Sequence, residues 1–236
     1  MFKNMSVSII IPGLNEAGNI EKAVQNIVRE LEEYNIVDYE IILIDDGSTD
    51  GTGKIMNELK EKNNHIRVLH NPTPRGIGYN FRIGASLASK EYVGWFPGDN
   101  ETLPETINNI FQQIGKVDAI LPYTVNPWVR PVYRRLLSVI YTIMFNIIFG
   151  LKLKYFNGPC FFRRGLLKTI TMSTDGPAYM AEILIQLIKK NNNISYVEVP
   201  MYIKARDYGR TSVLKWKNVY LLGKTILGLI HRIYFR

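Results

Sequence analysis

The sequence predicts an α/β protein with a mostly parallel, Rossmann-like sheet that carries helices on both faces. Five short apolar runs have the length and composition of buried strands; they are residues 7–11, 39–44, 66–70, 92–96 and 118–122. Residues 19–34 and 52–62 lie between these runs and repeat apolar side chains every three or four positions, as amphipathic helices do. This alternation is typical of a parallel sheet covered on both faces.

Composition narrows the classes of protein to consider. The 236 residues can form one substantial core, and no repeat or flexible linker divides them. Cys160 is the single cysteine, so an intramolecular disulfide is excluded, and the N-terminus does not resemble a secretory signal. We therefore expect one domain, residues 1–212, and a membrane-associating segment, residues 213–236, at a cytosolic membrane face. The net charge of +8 indicates a polyanionic partner: nucleic acid, an anionic membrane or a phosphorylated substrate.

Polar or glycine-rich loops follow four of the five predicted strands. They read PGLNEAGN, DDGSTDGT, NPTPRGIGYN and PGDNE in chain order. Any one of them is explained by ordinary turn chemistry, since Asp, Asn, Ser and Gly are common turn residues. Ligands of parallel sheets bind at the carboxyl ends of the strands, so four such loops at successive strand ends predict a binding site.

Four segments carry a resemblance to a known family. SIIIPGLNEAGNI, YEIILIDDGSTDGT, RGIGYNFRIGASLAS and VEVPMYIKARDYGRTS resemble, in order, the motifs of family 2 glycosyltransferases, in particular the dolichol-phosphate mannose synthase group. The resemblance covers nearly the whole chain. It implies a GT-A fold and inverting transfer of a sugar from a nucleotide-diphosphate sugar to a polyprenyl phosphate, dolichyl or undecaprenyl.

The resemblance also implies which residues bind the nucleotide-sugar. They are Pro12, Asn15, Glu16, Ile44, Asp45, Asp46, Gly76, Gly78 and Gly98. Carboxylates suit this role because they accept hydrogen bonds from ribose hydroxyls and base N–H groups. Gly76 and Gly78 would let the backbone approach the donor, because they lack a Cβ atom. The alternative for both glycines is a plain strand-to-helix turn.

The family usually places Asp-x-Asp-x-Gln after the fourth strand, and these residues bind a divalent cation that bridges the donor's phosphates. Here Asp99 matches the second Asp, Glu101 matches the Gln, and Pro97 replaces the first Asp. Two oxygen ligands, the pyrophosphate and water can still complete the octahedron that Mg²⁺ or Mn²⁺ prefers. The alternative is that Asp99 caps the helix that begins near Pro104, a role for which Thr102 is better placed.

Two further departures concern the substrate. The mannose synthases carry an arginine where this chain has Thr124, and a lysine where it has Ser212. Arg206 keeps its place, and Arg210 is the candidate substitute for the missing lysine. The sugar and the base of the donor therefore stay open.

Residues 134–151 contain two arginines and then sixteen uncharged residues, 136–151. A membrane span needs about 20 apolar residues, so this run is short. Four polar residues recur at every fourth position: Arg134, Ser138, Thr142 and Asn146. The pattern predicts a helix that lies at the membrane interface. By the same argument Arg130, Arg134 and Arg135 would meet the phosphate of a lipid acceptor.

The C-terminal segment repeats this pattern. One face carries Lys217, Lys224 and His231, with Asn218, Thr225 and Arg232 beside them, and the opposite face carries Val219, Leu222, Ile226, Leu229 and Ile233. A basic face favours anionic lipid headgroups. The alternative for both segments is a core helix or an oligomer interface.

The resemblance assigns catalysis to a metal at Asp99 and Glu101, with Arg206, because both would stabilise charge on the leaving nucleoside diphosphate. A lipid phosphate is anionic and needs no strong base, whereas a sugar hydroxyl does. Glu182 and Asp175 are the candidate bases. Glu182 could equally be a favourable charge at the start of a helix.

Three functions therefore compete. The first is transfer to a polyprenyl phosphate, and the second is transfer to a saccharide or lipid hydroxyl. The third is an inactive membrane-bound homologue, suggested by Pro97, Thr124 and Ser212. A nucleic-acid partner is disfavoured because the cations lie beside apolar stripes. A homo-oligomer or a membrane-protein partner stays open.

Overall fold

The structure is a computed structural model, and it describes residues 5–190, 193–205 and 216–235. The predicted catalytic Arg206, together with Arg210 and Ser212, lies outside these residues. The side chains of the first four residues of the last helix, 216–219, also lie outside the description.

The fold is built on one seven-stranded sheet. Its strands are β1 (Ser6–Gly13), β2 (Asp38–Asp45), β3 (Ile66–His70), β4 (Tyr92–Trp95), β5 (Ala119–Thr124), β6 (Phe161–Arg163) and β7 (Tyr196–Met201). Their order is β3-β2-β1-β4-β6-β5-β7, and every neighbouring pair is parallel except those that involve β6. All five predicted strands are confirmed, and so is the mostly parallel sheet.

The helices are α1 (Ile20–Glu33), α2 (Thr52–Lys62), α3 (Ile77–Leu87), α4 (Pro104–Phe111), α5 (Val132–Phe149), α6 (Arg164–Leu167), α7 (Tyr179–Lys190) and α8 (Trp216–Tyr234). They cover both faces of the sheet. In β2, Ile41 and Leu43 pack in a core layer with α1 and α4, whereas Ile42 and Ile44 pack in the other layer with α3 and α7. This alternation follows from the two-residue period of a strand.

Backbone hydrogen bonds hold the carboxyl ends of three adjacent strands together. The Asp46 N–H donates to the Gly13 carbonyl at 2.8 Å, and the Gly98 N–H donates to the Pro12 carbonyl at 3.2 Å. The loops after β2 and β4 therefore meet beside the end of β1. The sheet therefore brings together the strand ends at which the binding site is predicted.

The start of α4 corrects one expectation. The helix begins at Pro104, as predicted, but its N-cap is Leu103 and no side chain caps it. Thr102 instead forms an isolated bridge with Ile203. The interpretation of Thr102 as the cap is therefore wrong.

Only a small part of the surface of helix α5 is buried against the rest of the protein. Phe145 and Phe149 are its buried residues, while Val132, Leu136, Ile143 and Ile147 are exposed. By length and composition, α5 is the one helix in the described ranges that could cross a membrane, and 11% of it is buried.

The last helix, α8, uses its apolar stripe inside the protein. Leu229 is fully buried, and Leu222, Ile226 and Ile233 pack against the core layer that contains α7. For this stripe the alternative of a core helix holds, and the interpretation that it faces lipid is wrong. The exposed face of α8 carries Tyr220, Lys224, Leu227 and His231.

Candidate active site

The loops after β1 and β2 are tied together by their own polar groups. The Asn15 N–H donates to Ser48 Oγ at 3.0 Å, and Asn15 Oδ1 accepts from the Thr49 N–H at 2.9 Å. The Glu16 N–H donates to Thr52 Oγ1 at 2.8 Å. Asn15 has a φ of 57°, a left-handed conformation that asparagine tolerates better than most residues. The predicted donor residues Asn15 and Glu16 thus lie on one rigid rim.

Asp45 fixes the ends of β2 and β3. It is buried, and its Oδ1 accepts from the Ser48 N–H at 2.9 Å, while its Oδ2 lies 3.0 Å from His70 Nδ1. Burial by itself raises the pKa of Asp45, but hydrogen bonds from Ser48 and His70 outweigh burial and hold the pKa below its ordinary value. The contacts of Asp45 in the structure are with the protein itself, and its contact with the donor stays a prediction.

Asp46 holds the turn that precedes α3. Its Oδ1 accepts from Asn71 Nδ2 at 2.9 Å and from the Arg75 N–H at 2.8 Å, and its Oδ2 accepts from the Gly76 N–H at 3.1 Å. The neighbouring Ile44 is different, because its side chain is buried in the core layer of α3. The structure therefore gives the Ile44 side chain a packing role.

Gly76 and Gly78, which are predicted to approach the sugar donor, contact the protein's own backbone. A Cβ atom on Gly76 would lie 2.7 Å from the Asp175 carbonyl oxygen, and one on Gly78 would collide with the Thr174 carbonyl oxygen. The Gly78 N–H donates to the Asp175 carbonyl at 3.1 Å. The segment before α7 thus accounts for both glycines, and their predicted approach to the donor stays a prediction.

The turn after β4 presents two carboxylates. Asp99 Oδ1 accepts from the Glu101 N–H at 3.1 Å, and Asn100 between them has a φ of 57°. Asn100 is buried and accepts from Asn26 Nδ2 of α1 at 3.1 Å, which fixes the turn. Gly98 anchors its start to the end of β1. The two predicted metal ligands are therefore brought to the rim where the donor residues lie.

The carboxylates of Asp99 and Glu101 suit a divalent cation that is also coordinated by a bound substrate. Asp99 is half-buried and Glu101 is buried, and both offer hard oxygen atoms. In the part of the chain that the structure describes, no group of three or more His, Cys, Asp or Glu side chains forms a complete metal site. Mg²⁺ is commonly held by one or two carboxylates together with substrate phosphates and water, so two carboxylates are sufficient.

A cavity of about 510 Å³ lies beside α5. The end of β5, at Thr124, and the loop that follows α5 complete its wall. Four cationic side chains line it: Arg130, Arg134, Arg135 and Lys154. Its apolar walls come from Val132, Leu136, Val139 and Ile143 of α5. The cavity therefore combines cationic side chains with apolar walls.

Arg130 connects this cavity to the carboxylate turn. Its side chain is 22% exposed, its Nη2 lies 3.5 Å from Glu101 Oε2, and its Nη1 donates to the Tyr155 hydroxyl at 3.3 Å. Burial by itself lowers the pKa of Arg130, but Tyr155 and Glu101 outweigh burial and raise it. Arg130 is thus a permanent cation beside the candidate metal ligands.

Two buried polar atoms in the cavity wall lack hydrogen-bond partners among the described residues. They are Arg130 Nε and Thr124 Oγ1. Each atom has almost no solvent-accessible surface, so it is closed to a ligand in the open cavity and does not by itself indicate one. What suits an anionic headgroup is the set of cationic side chains that lines the cavity.

The predicted polar stripe of α5 faces the protein. Arg134, Ser138 and Thr142 line the cavity, and Asn146 exchanges two hydrogen bonds with the backbone of Leu153. Ile140 and Ile147 of α5, which are exposed and outside the cavity lining, face outward. Sequence reasoning missed Lys154 and Tyr155 in the cavity wall, because they lie in an irregular segment without a periodic pattern.

Glu182, the candidate base, is fully buried and already bound. Its Oε2 accepts from the N–H groups of Ser173 at 2.9 Å and Thr174 at 3.0 Å. Its Oε1 accepts from Ser173 Oγ and from Arg232 Nη2, each at 2.5 Å. A carboxylate that accepts four hydrogen bonds from the protein has a structural role, and this arrangement does not favour proton transfer to a ligand. The other candidate base, Asp175, accepts from Arg82 at 2.7 Å.

Comparison with known proteins decides the family. The model of "Glycosyl transferase family 2" matches residues 8–171. The chain belongs to glycosyl transferase family 2. Among solved structures of this kind of enzyme, glucosyl-3-phosphoglycerate synthase of Mycobacterium tuberculosis, in complex with Mg²⁺ and uridine diphosphate, superimposes with a TM-score of 0.71. The identity is 18%, and the match covers 95% of this chain and 79% of the synthase, so the likeness shows the fold. The fold is GT-A, as predicted.

Curated relatives of this family member include lipid-phosphate enzymes. It is 27% identical over 237 residues to a dolichol-phosphate mannosyltransferase of Pyrococcus furiosus, across 98% of this chain and 63% of the relative. It is 32% identical over 113 residues to the glycosyltransferase GlyG of Streptococcus pneumoniae, across 48% of this chain and 36% of that protein. A dolichyl-phosphate beta-glucosyltransferase of Dictyostelium discoideum is 29% identical over 121 residues, across 49% and 37%. The chain thus spans less than two thirds of these relatives.

Proposed function

We propose that this family 2 member is an inverting glycosyltransferase that moves a sugar from a nucleotide-diphosphate sugar to a polyprenyl phosphate, dolichyl or undecaprenyl, at the cytosolic face of a membrane. The observation that carries the proposal is the cavity under α5. It offers cations and an apolar lining, and Arg130 joins it to the carboxylate turn. A phosphate on an apolar chain matches all of these features.

The donor would lie on the rim formed by the loops after β1, β2 and β4. Asp45 and Asp46 hold the backbone of this rim in place, and Asn15 and Glu16 tie its first two loops together. Solved structures of the similar synthase contain uridine diphosphate with Mg²⁺ or Mn²⁺, which supports a nucleotide and a metal here.

Asp99 and Glu101 would hold Mg²⁺ or Mn²⁺ against the donor's phosphates. When bound, the cation supplies positive charge that stabilises the leaving nucleoside diphosphate. The described residues contribute two effects of their own. Glu101 keeps Arg130 beside this turn, and Arg130 keeps a positive charge at the boundary between donor and acceptor. Arg206 is proposed as a second cation for the leaving group on the strength of the resemblance alone.

On the acceptor side, Arg130, Arg134 and Arg135 would bind the lipid phosphate and orient one of its oxygen atoms toward the sugar. Such an oxygen is already anionic near neutral pH and attacks without a strong base. Transfer to a hydroxyl needs a base. Glu182 is buried and already accepts four hydrogen bonds, and Asp175 is paired with Arg82. The arrangement therefore favours a phosphate acceptor.

Membrane attachment would come from the outward face of α5. Its exposed residues include Ile140 and Ile147, and the apolar surface that they form borders the cavity-lining residues Val132, Leu136 and Ile143. An apolar surface of this kind on a helix is suited to the membrane interface. Attachment there places the cavity, which opens along α5, at the lipid surface where a polyprenyl phosphate is found.

A transfer assay tests this function. The full chain is incubated with vesicles that contain undecaprenyl phosphate, with Mg²⁺ or Mn²⁺ and with labelled UDP-, GDP- and CDP-sugars in turn. The proposal expects label to enter the lipid fraction with one class of donor. Hydrolysis without lipid product, or equal transfer to soluble phosphorylated acceptors such as phosphoglycerate, would overturn it. If no donor is bound or turned over, the chain is an inactive homologue.

A further inference from the structure

The buried pair Glu182 and Arg232 joins two helices that are far apart in sequence. Arg232 lies in the last turn of α8, its side chain is 13% exposed, and its Nη2 lies 2.5 Å from Glu182 Oε1 of α7. The sequence places Arg232 beside the basic face of α8, but the structure turns it inward. A buried carboxylate and a buried guanidinium are costly to separate, so this contact defines where α8 sits.

The same carboxylate fixes the segment that precedes α7. Glu182 accepts from the backbone N–H groups of Ser173 and Thr174 and from the Ser173 hydroxyl. On the side of α8, Leu221 lies against Gly176, where an added Cβ would be 3.2 Å from Leu221 Cβ. Residues 173–176 are therefore held by both α7 and α8.

The opposite side of residues 173–176 contacts the turn that begins α3. The Asp175 carbonyl accepts from the Gly78 N–H at 3.1 Å, and the Asp175 carboxylate accepts from Arg82 Nη2 at 2.7 Å. The Gly76 N–H, two residues earlier, donates to Asp46. Hydrogen bonds, together with the backbone of residues 173–175, thus connect Arg232 on α8 to the turn at residues 75–78.

We infer that Arg232 and Glu182 are positioning residues, which couple the seating of α8 to the form of the turn at residues 75–78 that binds the donor nucleotide. The inference rests on the proposed function, because it takes this turn as part of the donor site. Neither side chain contacts the donor. Each acts through residues 173–176, whose backbone carbonyls meet Gly76 and Gly78 at distances that leave no room for a Cβ atom.

Small displacements of residues 173–176 should therefore reach the donor turn. The carbonyls of Thr174 and Asp175 lie against the start of α3, and the Asp175 carbonyl accepts from the Gly78 N–H. We therefore expect that loss of the Glu182 hydrogen bonds weakens this contact with Gly78. The cavity under α5 is built from other residues. A loss of the pair should weaken nucleotide binding and leave binding to vesicles unchanged.

Calorimetry with UDP, GDP and CDP, each with Mn²⁺, tests the inference on the full chain. Arg232→Met removes the cation and keeps much of the side-chain volume. The dissociation constant of the nucleotide that the wild type binds should rise about tenfold, because the turn that binds it loses the support of a charged hydrogen bond within the protein. Arg232→Lys should recover most of the affinity. Arg163→Met is the matched control. It also removes an arginine from ion pairs, with Glu91 and Asp118, but these lie at the amino ends of β4 and β5.

The outcomes separate the two claims. A wild type that binds none of the three nucleotides overturns the proposed function and this inference with it. A wild type that binds, with Arg232→Met within about twofold of it, overturns the inference alone. If Arg232→Met does not fold, the double variant Glu182→Gln with Arg232→Met removes both charges and is measured instead. Amide exchange at Ser173, Thr174 and Gly78 gives a readout without nucleotide: it should accelerate at all three residues, and unchanged exchange at Gly78 would contradict the coupling.

Discussion

Glu101 Oε2 lies 3.5 Å from Arg130 Nη2, and this pair joins the carboxylate turn to the cavity under α5. Both side chains are largely buried, so solvent screens their attraction less than that of a surface pair. Glu101 is a candidate metal ligand and Arg130 a candidate phosphate ligand. Their contact places the two halves of the proposed reaction next to each other.

Replacing Arg130 should separate acceptor binding from donor binding. Arg130→Met removes a cation whose Nε already lacks a partner in the described structure. The KM for polyprenyl phosphate should rise about tenfold or more, because a charge-assisted hydrogen bond is lost. Calorimetry should show that the affinity for nucleotide with Mn²⁺ is kept. Lys54→Met on the exposed surface of α2 is the control, and an unchanged KM in Arg130→Met would contradict the acceptor assignment.

Replacing Asp99 should remove the contribution of the metal to donor binding. Asp99→Ala deletes a half-buried loop carboxylate, so the fold should survive with little change in Tm. Nucleotide affinity in the wild type should increase when Mn²⁺ is added, and in the variant it should be the same with and without Mn²⁺. Calorimetry in the presence of Mn²⁺ and of a chelator measures both. A variant whose affinity still responds to Mn²⁺ as the wild type does would move the metal site elsewhere.

Asp45 makes the stability of the fold depend on pH in the acid range. Its pKa in the folded chain lies below the ordinary 3.8, so the unfolded chain binds its proton more tightly. Ionised Asp45 therefore stabilises the fold above pH 3.8, and this contribution is lost as the pH falls through the folded pKa. Urea unfolding should show a difference in the free energy of unfolding between wild type and Asp45→Asn that is constant near neutral pH and shrinks below about pH 4. A difference independent of pH would contradict this role.

The outward face of α5 should hold the chain on membranes. Ile140→Glu with Ile147→Glu places two charges on this face, outside the cavity lining and without touching the buried Phe145 and Phe149. Cosedimentation with vesicles of anionic lipid should fall about tenfold or more, because apolar burial is lost and each charge is costly to bury. Val37→Glu, at an exposed position before β2, is the control. Resistance of the wild type to alkaline carbonate would indicate a helix that spans the membrane.

The sequence was sufficient for the sheet because its strands are marked by their own composition. The apolar runs at β1 to β5 are bounded by turn residues, and each appears as a strand. The short strand β6 could not be predicted in this way. Its residues, Phe161–Arg163, form a strand because β4 and β5 pair with it from both sides.

The site was less predictable, because periodicity gives the faces of a helix but not what they contact. The apolar stripe of α8 and the polar stripe of α5 were both recognised, yet each faces the protein. Arg232 belongs to a basic pattern in sequence and to a buried ion pair in the fold, because Glu182, fifty residues earlier, is its partner. Contacts between distant segments decide such roles.

Photocrosslinking tests the central claim, that the cavity under α5 holds the acceptor phosphate, most directly. A polyprenyl phosphate analogue with a photoreactive group next to its phosphate is incorporated into vesicles with the full chain, and labelled peptides are identified by mass spectrometry. The account predicts labels on cavity residues such as Leu136, Val139 and Lys154, which unlabelled polyprenyl phosphate suppresses and polyprenol does not. Labels confined to outward residues such as Ile147, or labels that polyprenol suppresses equally, would contradict it.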